Sequence, residues 1–241
     1  MLNRSVSPTW ILLRRNTCII GRRKSNRIEI LTQSDDGLIH CYTRAVYGRI
    51  TMLERLRPEN SKTEHLFIGT DRYKYFIISW DEKTNQIRTE QSYQDQSDKT
   101  LRDSQNQDRC LIDPSRRYMT LQLFDGIVTV VPIHQAKSKR KGSSEPGTLG
   151  QPVPARISEL FVKSSVFLHS HEEANTKALL ALLYENNRQQ VCLNIRHLDY
   201  TIGTQSEPGS ADLEEVVAAG DDLDTGASHL IPIPAPACTY Y

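Results

Sequence analysis

The densest group of chemistry-bearing side chains in this sequence is LHSHEE (168–173), with His169, His171, Glu172 and Glu173 close together. On a strand, His169 and His171 would point to one face. A metal or acid–base site would need further ligands from elsewhere, and no spacing signals them; a polar turn after a strand accounts for the pattern. Asp35-Asp36 and Asp221-Asp222 are adjacent pairs. Neighbours on a strand face opposite ways, so they do not make a paired-carboxylate centre, and turn chemistry explains them better. The five cysteines, Cys18, Cys41, Cys110, Cys192 and Cys238, include no CxxC and no zinc-like spacing. They read as reduced, buried, small apolar residues of an intracellular protein. Tyr73, Tyr75, Phe76 and Trp80 could stack on bases, but at strand spacing such a group is a core face. There is no GxSxG, no Walker loop and no GxGxxG. Catalytic, cofactor-binding and metal residues are therefore all assigned as none.

The elements around these residues are short and β-like. RIEIL (27–31), LIHCY (38–42), ITMLERL (50–56), HLFIGT (65–70), YKYFIISW (73–80) and IRTEQSY (87–93) precede a polar gap. CLID (110–113), YMTLQLF (118–124), IVTVVPI (127–133), LFVKSSVFL (160–168), KALLALLY (177–184) and VCLNIRHLDY (191–200) follow it, and 213–217 could add one more. Turn signals separate them: Asp36-Gly37, Arg57-Pro58, Asp113-Pro114, Asp125-Gly126 and Glu185-Asn186-Asn187. Regular short strands with turns between them predict a sandwich, barrel or propeller. The two Asp-Gly pairs predict type I′ hairpins, which need positive φ at both central residues. KALLALLY has helical propensity, but its neighbours argue for a strand.

Two segments read as long loops, 94–109 and 136–154. The second opens with Lys137, Lys139, Arg140 and Lys141, a basic run that could serve nuclear import but reads as a solvated loop. Net charge is +1, with 30 basic and 29 acidic residues, which gives no bias toward nucleic acid. No run approaches the ~20 apolar residues of a membrane helix. Residues 1–24 read as a poorly ordered or divergent extension, with some character of a mitochondrial presequence, and 25–241 as the folded part.

Four stretches carry a family resemblance: SNRIEIL (25–31), VYGRITMLERLRPENSKTEHLFIGTDRYKYFIISWD (46–81), LIDPSRRYMTLQLFDGIVTVVPI (111–133) and ARISELFVKSSVFLH (155–169). The third is the most specific, with its Asp-Pro turn, Arg, hydrophobic-Asp-Gly and Val-Pro-hydrophobic features. Together they resemble a superfamily that holds the large subunits of UV-damaged DNA-binding protein, of the cleavage and polyadenylation specificity factor and of splicing factor 3b. The damage-binding branch is favoured by Val46-Tyr47-Gly48, the compact 113–133 stretch and ISELFV.

The resemblance implies an all-β fold: a partial β-propeller of about three four-stranded antiparallel blades, from the first propeller of a multi-propeller protein. It implies a non-catalytic adaptor, of the nucleus and also open to the cytoplasm, that links substrate receptors to a cullin-RING ubiquitin ligase in nucleotide-excision repair. Its partners would be those receptors, with damaged DNA reached through them, no membrane and no cofactor; the cullin-binding propeller would not be in this chain. An RNA-processing relative and an unrelated all-β enzyme are the alternatives. By alignment with a basic family loop, Lys99 and Arg102 are the expected partner contacts.

Overall fold

A computed structural model of the chain describes residues 9–14, 17–21, 26–57, 64–81, 84, 86–94, 101–134, 149–169, 178–201 and 209–233. Among the described residues, sixteen strands make four antiparallel four-stranded sheets, each a meander in chain order. The expected all-β, blade-like architecture is present, with four sheets where about three were expected. The chain divides into two compact units, 1–98 with 135–148, and 99–134 with 149–241.

The first unit holds β1 (Thr9–Arg14), β2 (Thr17–Gly21), β3 (Arg27–Ser34) and β4 (Gly37–Ala45) in one sheet. β5 (Ile50–Leu56), β6 (His65–Thr70), β7 (Lys74–Asp81) and β8 (Gln86–Gln94) form the other. Ile28 and Ile30, two apart on β3, point to one face and pack with Ile50, Leu53, Leu66, Ile68, Ile78 and Ile87. Burying each such side chain contributes about 1.5–3 kcal/mol. β6 is buried at every position, as expected of a strand covered on both faces. On its other side Phe67 stacks on Tyr75 at 5.9 Å and Tyr75 meets Tyr93 at 4.9 Å. The aromatic cluster of 73–80 is thus mainly core: Tyr75 is buried, and Phe76 and Trp80 pack against the isoleucines.

The second unit holds β9 (Arg109–Ile112), β10 (Tyr118–Phe124), β11 (Ile127–Pro132) and β12 (Val153–Arg156). β13 (Phe161–Phe167), β14 (Ala178–Glu185), β15 (Val191–Thr201) and β16 (Ser210–Leu223) complete it. Val128, Val130 and Ala155 of one sheet pack with Phe167, Ala178, Leu180, Leu182, Leu198 and Leu213 of the other. KALLALLY is the strand β14, paired on both sides by β13 and β15; tertiary pairing overrides its helical propensity.

Several expectations need correction. Strands β1 and β2 occupy part of the stretch read as an extension, and they pair onward to β3. β12 begins inside the expected 136–154 loop, at Val153, and continues past its end to Arg156. It is an edge strand, where the missing N–H of Pro154 need break no ladder. The Asp-Gly turns are not type I′: Gly37 and Gly126 have φ of 122° and 74°, but neither aspartate is positive. The β10–β11 register shifts between Leu121 and Phe124, and this irregularity takes up the strand twist that a I′ turn would have matched. Cys110 and Cys192 are buried but Cys41 is exposed, and Asp221-Asp222 lie within β16, not in a turn.

Candidate partner-binding surface

The segment between β8 and β9 has no strand of its own in 101–108, apart from a single bridge of Asp103 with Phe124. It is sewn onto the β10–β11 hairpin. Ser104 N–H donates to Leu123 O at 2.9 Å, and Asp125 N–H donates to Arg102 O at 3.0 Å. Gln105 N–H reaches Asp125 Oδ1 at 3.4 Å. On the other side, Asn106 Nδ2 and Arg109 Nη1 donate to Val162 O of β13. The loop is thus fixed through its backbone to the hairpin and through the Asn106 side chain to β13, which is how a rigid scaffold presents a loop.

Arg102 stands on this platform. Its Nε lies 3.5 Å from Asp125 Oδ2, and the two side chains are 63% and 7% exposed. Its guanidinium is 6.0 Å from the centre of the Phe161 ring. Asp125 and Phe161 therefore orient the group while most of it remains in solvent. A guanidinium held this way can meet a carboxylate or a helix C-terminus through two parallel N–H donors. The other expected contact, Lys99, lies outside the described residues, as do His171, Glu172, Glu173 and the basic run at 137–141. His169 is exposed just after β13.

A shallow cleft, open to solvent, lies beside the platform, lined by Ser104, Gln107, Phe124, Ile157 and Leu160 among others, with a cavity volume of about 10 Å³. That is room for about one water molecule. No group of three or more metal-ligating side chains occurs among the described residues, and no helix is long and apolar enough to cross a membrane.

Sequence reasoning passed over Asp125 and Phe161, reading one as a turn residue and the other as part of a strand. It also missed a buried polar network that fixes the loop between β12 and β13. Glu159 accepts from Arg196 Nε at 3.0 and 3.1 Å, from Arg196 Nη2 at 2.9 Å and from Asn194 Nδ2 at 2.6 Å. Arg196 Nη1 donates to Leu213 O at 2.7 Å and Nη2 to Ser158 Oγ at 2.8 Å. The only sequence signal was a glutamate set between apolar residues in ISELFV.

Residues 4–239 match the family model described as the RSE1/DDB1/CPSF1 first beta-propeller. DNA damage-binding protein 1b of Arabidopsis thaliana is 32% identical over 216 residues, covering 89% of this chain and 18% of that protein. DNA damage-binding protein 1 of Solanum lycopersicum gives the same figures. Its namesake in Schizosaccharomyces pombe is 28% identical over 171 residues, or 71% of this chain. The chain thus spans about a fifth of the length of these relatives. Four-stranded antiparallel sheets, the Asp-Pro and Asp-Gly turns in register with them, and a match over nearly the whole sequence agree: the chain belongs to the RSE1/DDB1/CPSF1 first-propeller family.

Proposed function

We propose that this chain is a non-catalytic docking module of a DDB1-like scaffold. It helps hold substrate receptors for a cullin-RING ubiquitin ligase acting in nucleotide-excision repair in the nucleus. The scaffold does no chemistry. It raises the effective concentration of substrate near the ligase by holding both in one assembly. Damaged DNA is reached through the receptor, in keeping with a net charge of only +1.

The observation that carries the reading is Arg102, a largely solvated guanidinium on a loop locked to two neighbouring elements. Lys99 is assigned to the same contact by its place in the loop. The names of the relatives, all DNA damage-binding proteins, favour this branch over an RNA-processing one. The test is binding of a purified substrate receptor to a damage-binding scaffold carrying this propeller in place of its own. Lys99→Glu with Arg102→Glu should weaken binding by roughly tenfold or more, as reversing paired interfacial charges does. Unchanged receptor affinity refutes the assignment, and preferential capture of polyadenylation or splicing subunits would move the chain to the RNA-processing branch.

A further inference from the structure

The turns at one end of the β5–β8 sheet carry features that receptor docking through Arg102 leaves unused. The β4–β5 connection, 46–49, and the β6–β7 turn, 71–73, are tied by three hydrogen bonds. Asp71 N–H donates to Arg49 O at 2.9 Å, Arg49 N–H to Asp71 Oδ1 at 2.8 Å and Arg49 Nε to Asp71 Oδ2 at 2.8 Å. The Arg49 side chain is the main reason that the Asp71 carboxyl titrates below the ordinary carboxylate range. The turn closes through Tyr73 N–H to Thr70 O at 3.0 Å, with Tyr73 at φ 52°, a left-handed conformation that is uncommon for a bulky side chain.

On this frame Tyr47 is 65% exposed, with Lys74 Nζ 4.5 Å from its ring centre. The Arg49 side chain is also 65% exposed, and Arg72 is exposed beside it. Other aromatic rings of this unit, Tyr42, Phe67, Tyr75, Phe76 and Trp80, lie in or against the core. Tyr47 is turned outward instead, among Arg49, Arg72 and Lys74, with one carboxylate, Asp71, engaged by Arg49. The group carries net charge +2 (three cations less one anion).

We propose that this turn pair docks an acidic, extended protein segment. Carboxylates of the segment pair with Arg72 and Arg49, and an apolar stretch lies on the Tyr47 ring. Three observations favour this occupant. Tyr and Arg are the residue types that dominate interface energetics. The bonds between the turns hold their backbone and the Arg49 side chain in place, which lowers the ordering cost of docking. The cations sit on two adjacent turns and do not form a stripe, whereas nucleic acid needs a track of cations along successive phosphates. The proposal stands independently of the Arg102 assignment.

The experiment is fluorescence anisotropy of the full chain with a short labelled Glu/Asp-rich peptide, its Gln/Asn analogue and an oligothymidine. The acidic peptide should bind, with affinity falling as salt rises, and the neutral analogue should not. Arg72→Glu with Lys74→Glu should weaken binding by roughly tenfold or more. Tyr47→Ala should weaken it several-fold, while Tyr47→Phe, which keeps the ring face, should restore it. No acidic-peptide binding, or binding that the charge reversal leaves unchanged, overturns the proposal. Tighter binding of the oligothymidine, lost in the same variants, overturns it in favour of nucleic acid.

Discussion

Replacing Glu159 by Ala tests how the second unit is held together. The carboxylate is 1% exposed and its partner Arg196 is 9% exposed. It receives both Nε and Nη2 of Arg196 and the amide of Asn194. Removal leaves a buried guanidinium with Leu213 O, Ser158 Oγ and a longer contact to Glu215 at 3.7 Å. Breaking one side of a buried pair typically costs 3–5 kcal/mol, because the remaining charge is desolvated without compensation. The expected loss for Glu159→Ala is about 4 kcal/mol, a fall on the order of 10 °C in Tm for a chain of this size. Replacing the pair together, Glu159→Leu with Arg196→Met, removes the stranded charge and should recover most of that loss. Thermal unfolding followed by circular dichroism, with hydrogen exchange at β15 amides to localise the effect, reads all of these variants. A loss below about 1 kcal/mol for Glu159→Ala, or a double variant as unstable as the sum of the singles, refutes the reasoning.

Further outcomes follow from the first unit. Gly69 lies in the fully buried β6, and a Cβ there would meet the methyl and Cβ of Met52 and the Tyr75 ring at 3.4 Å. Gly69→Ala should cost about 1–3 kcal/mol by overpacking, measured by urea unfolding, and Met52→Ala in the same chain should relieve part of it. Burial holds the His65 imidazole below its ordinary value of 6.5, with Glu90 opposing. The folded state then binds fewer protons than the unfolded one, so the contribution of His65 is intact above pH 6.5 and is lost as pH falls through the folded value. His65→Gln should flatten the stability–pH profile in that window; an unchanged slope counts against this linkage. Cys41 should react with a thiol reagent in the native chain, while Cys110 and Cys192 react only after unfolding; mass mapping of labelled peptides distinguishes them.

The strand runs were legible wherever local pattern and turn residues agreed. RIEIL, HLFIGT and IVTVVPI became β3, β6 and β11 nearly as read. What failed depended on partners distant in sequence. TWILLR and TCIIG are strands because β3 offers an edge for TCIIG, which no window around them contains. VPAR pairs with β11 despite Pro154 because its outer side has no ladder to break. Asp-Gly fixed where the chain reverses but not the turn type, since a register shift on β10 can absorb twist as well as a primed turn does. At the candidate surface, resemblance supplied Arg102, but only folding brings it to Asp125 and Phe161.

Two of the arginines of the second unit, Arg196 and Arg102, show why a scaffold's function is hard to read from residue types. Arg196 and Arg102 are the same chemical group, and each lies near a carboxylate. Arg196 meets Glu159, Ser158 and Leu213 O through Nε, Nη1 and Nη2 in a site almost closed to water. Nothing further can approach such a group, so its value is in fixing the β12–β13 connection against β15. Arg102 faces Asp125 through Nε at 3.5 Å and keeps 63% of its side-chain surface in water. An exposed pair of that kind is worth at most about 1 kcal/mol to folding, too little to explain a loop tied down by backbone hydrogen bonds to the hairpin and by the Asn106 side chain to β13. These hydrogen bonds order the loop and the loop positions the charge, so the Arg102–Asp125 pair is a consequence of the loop's order and not its cause.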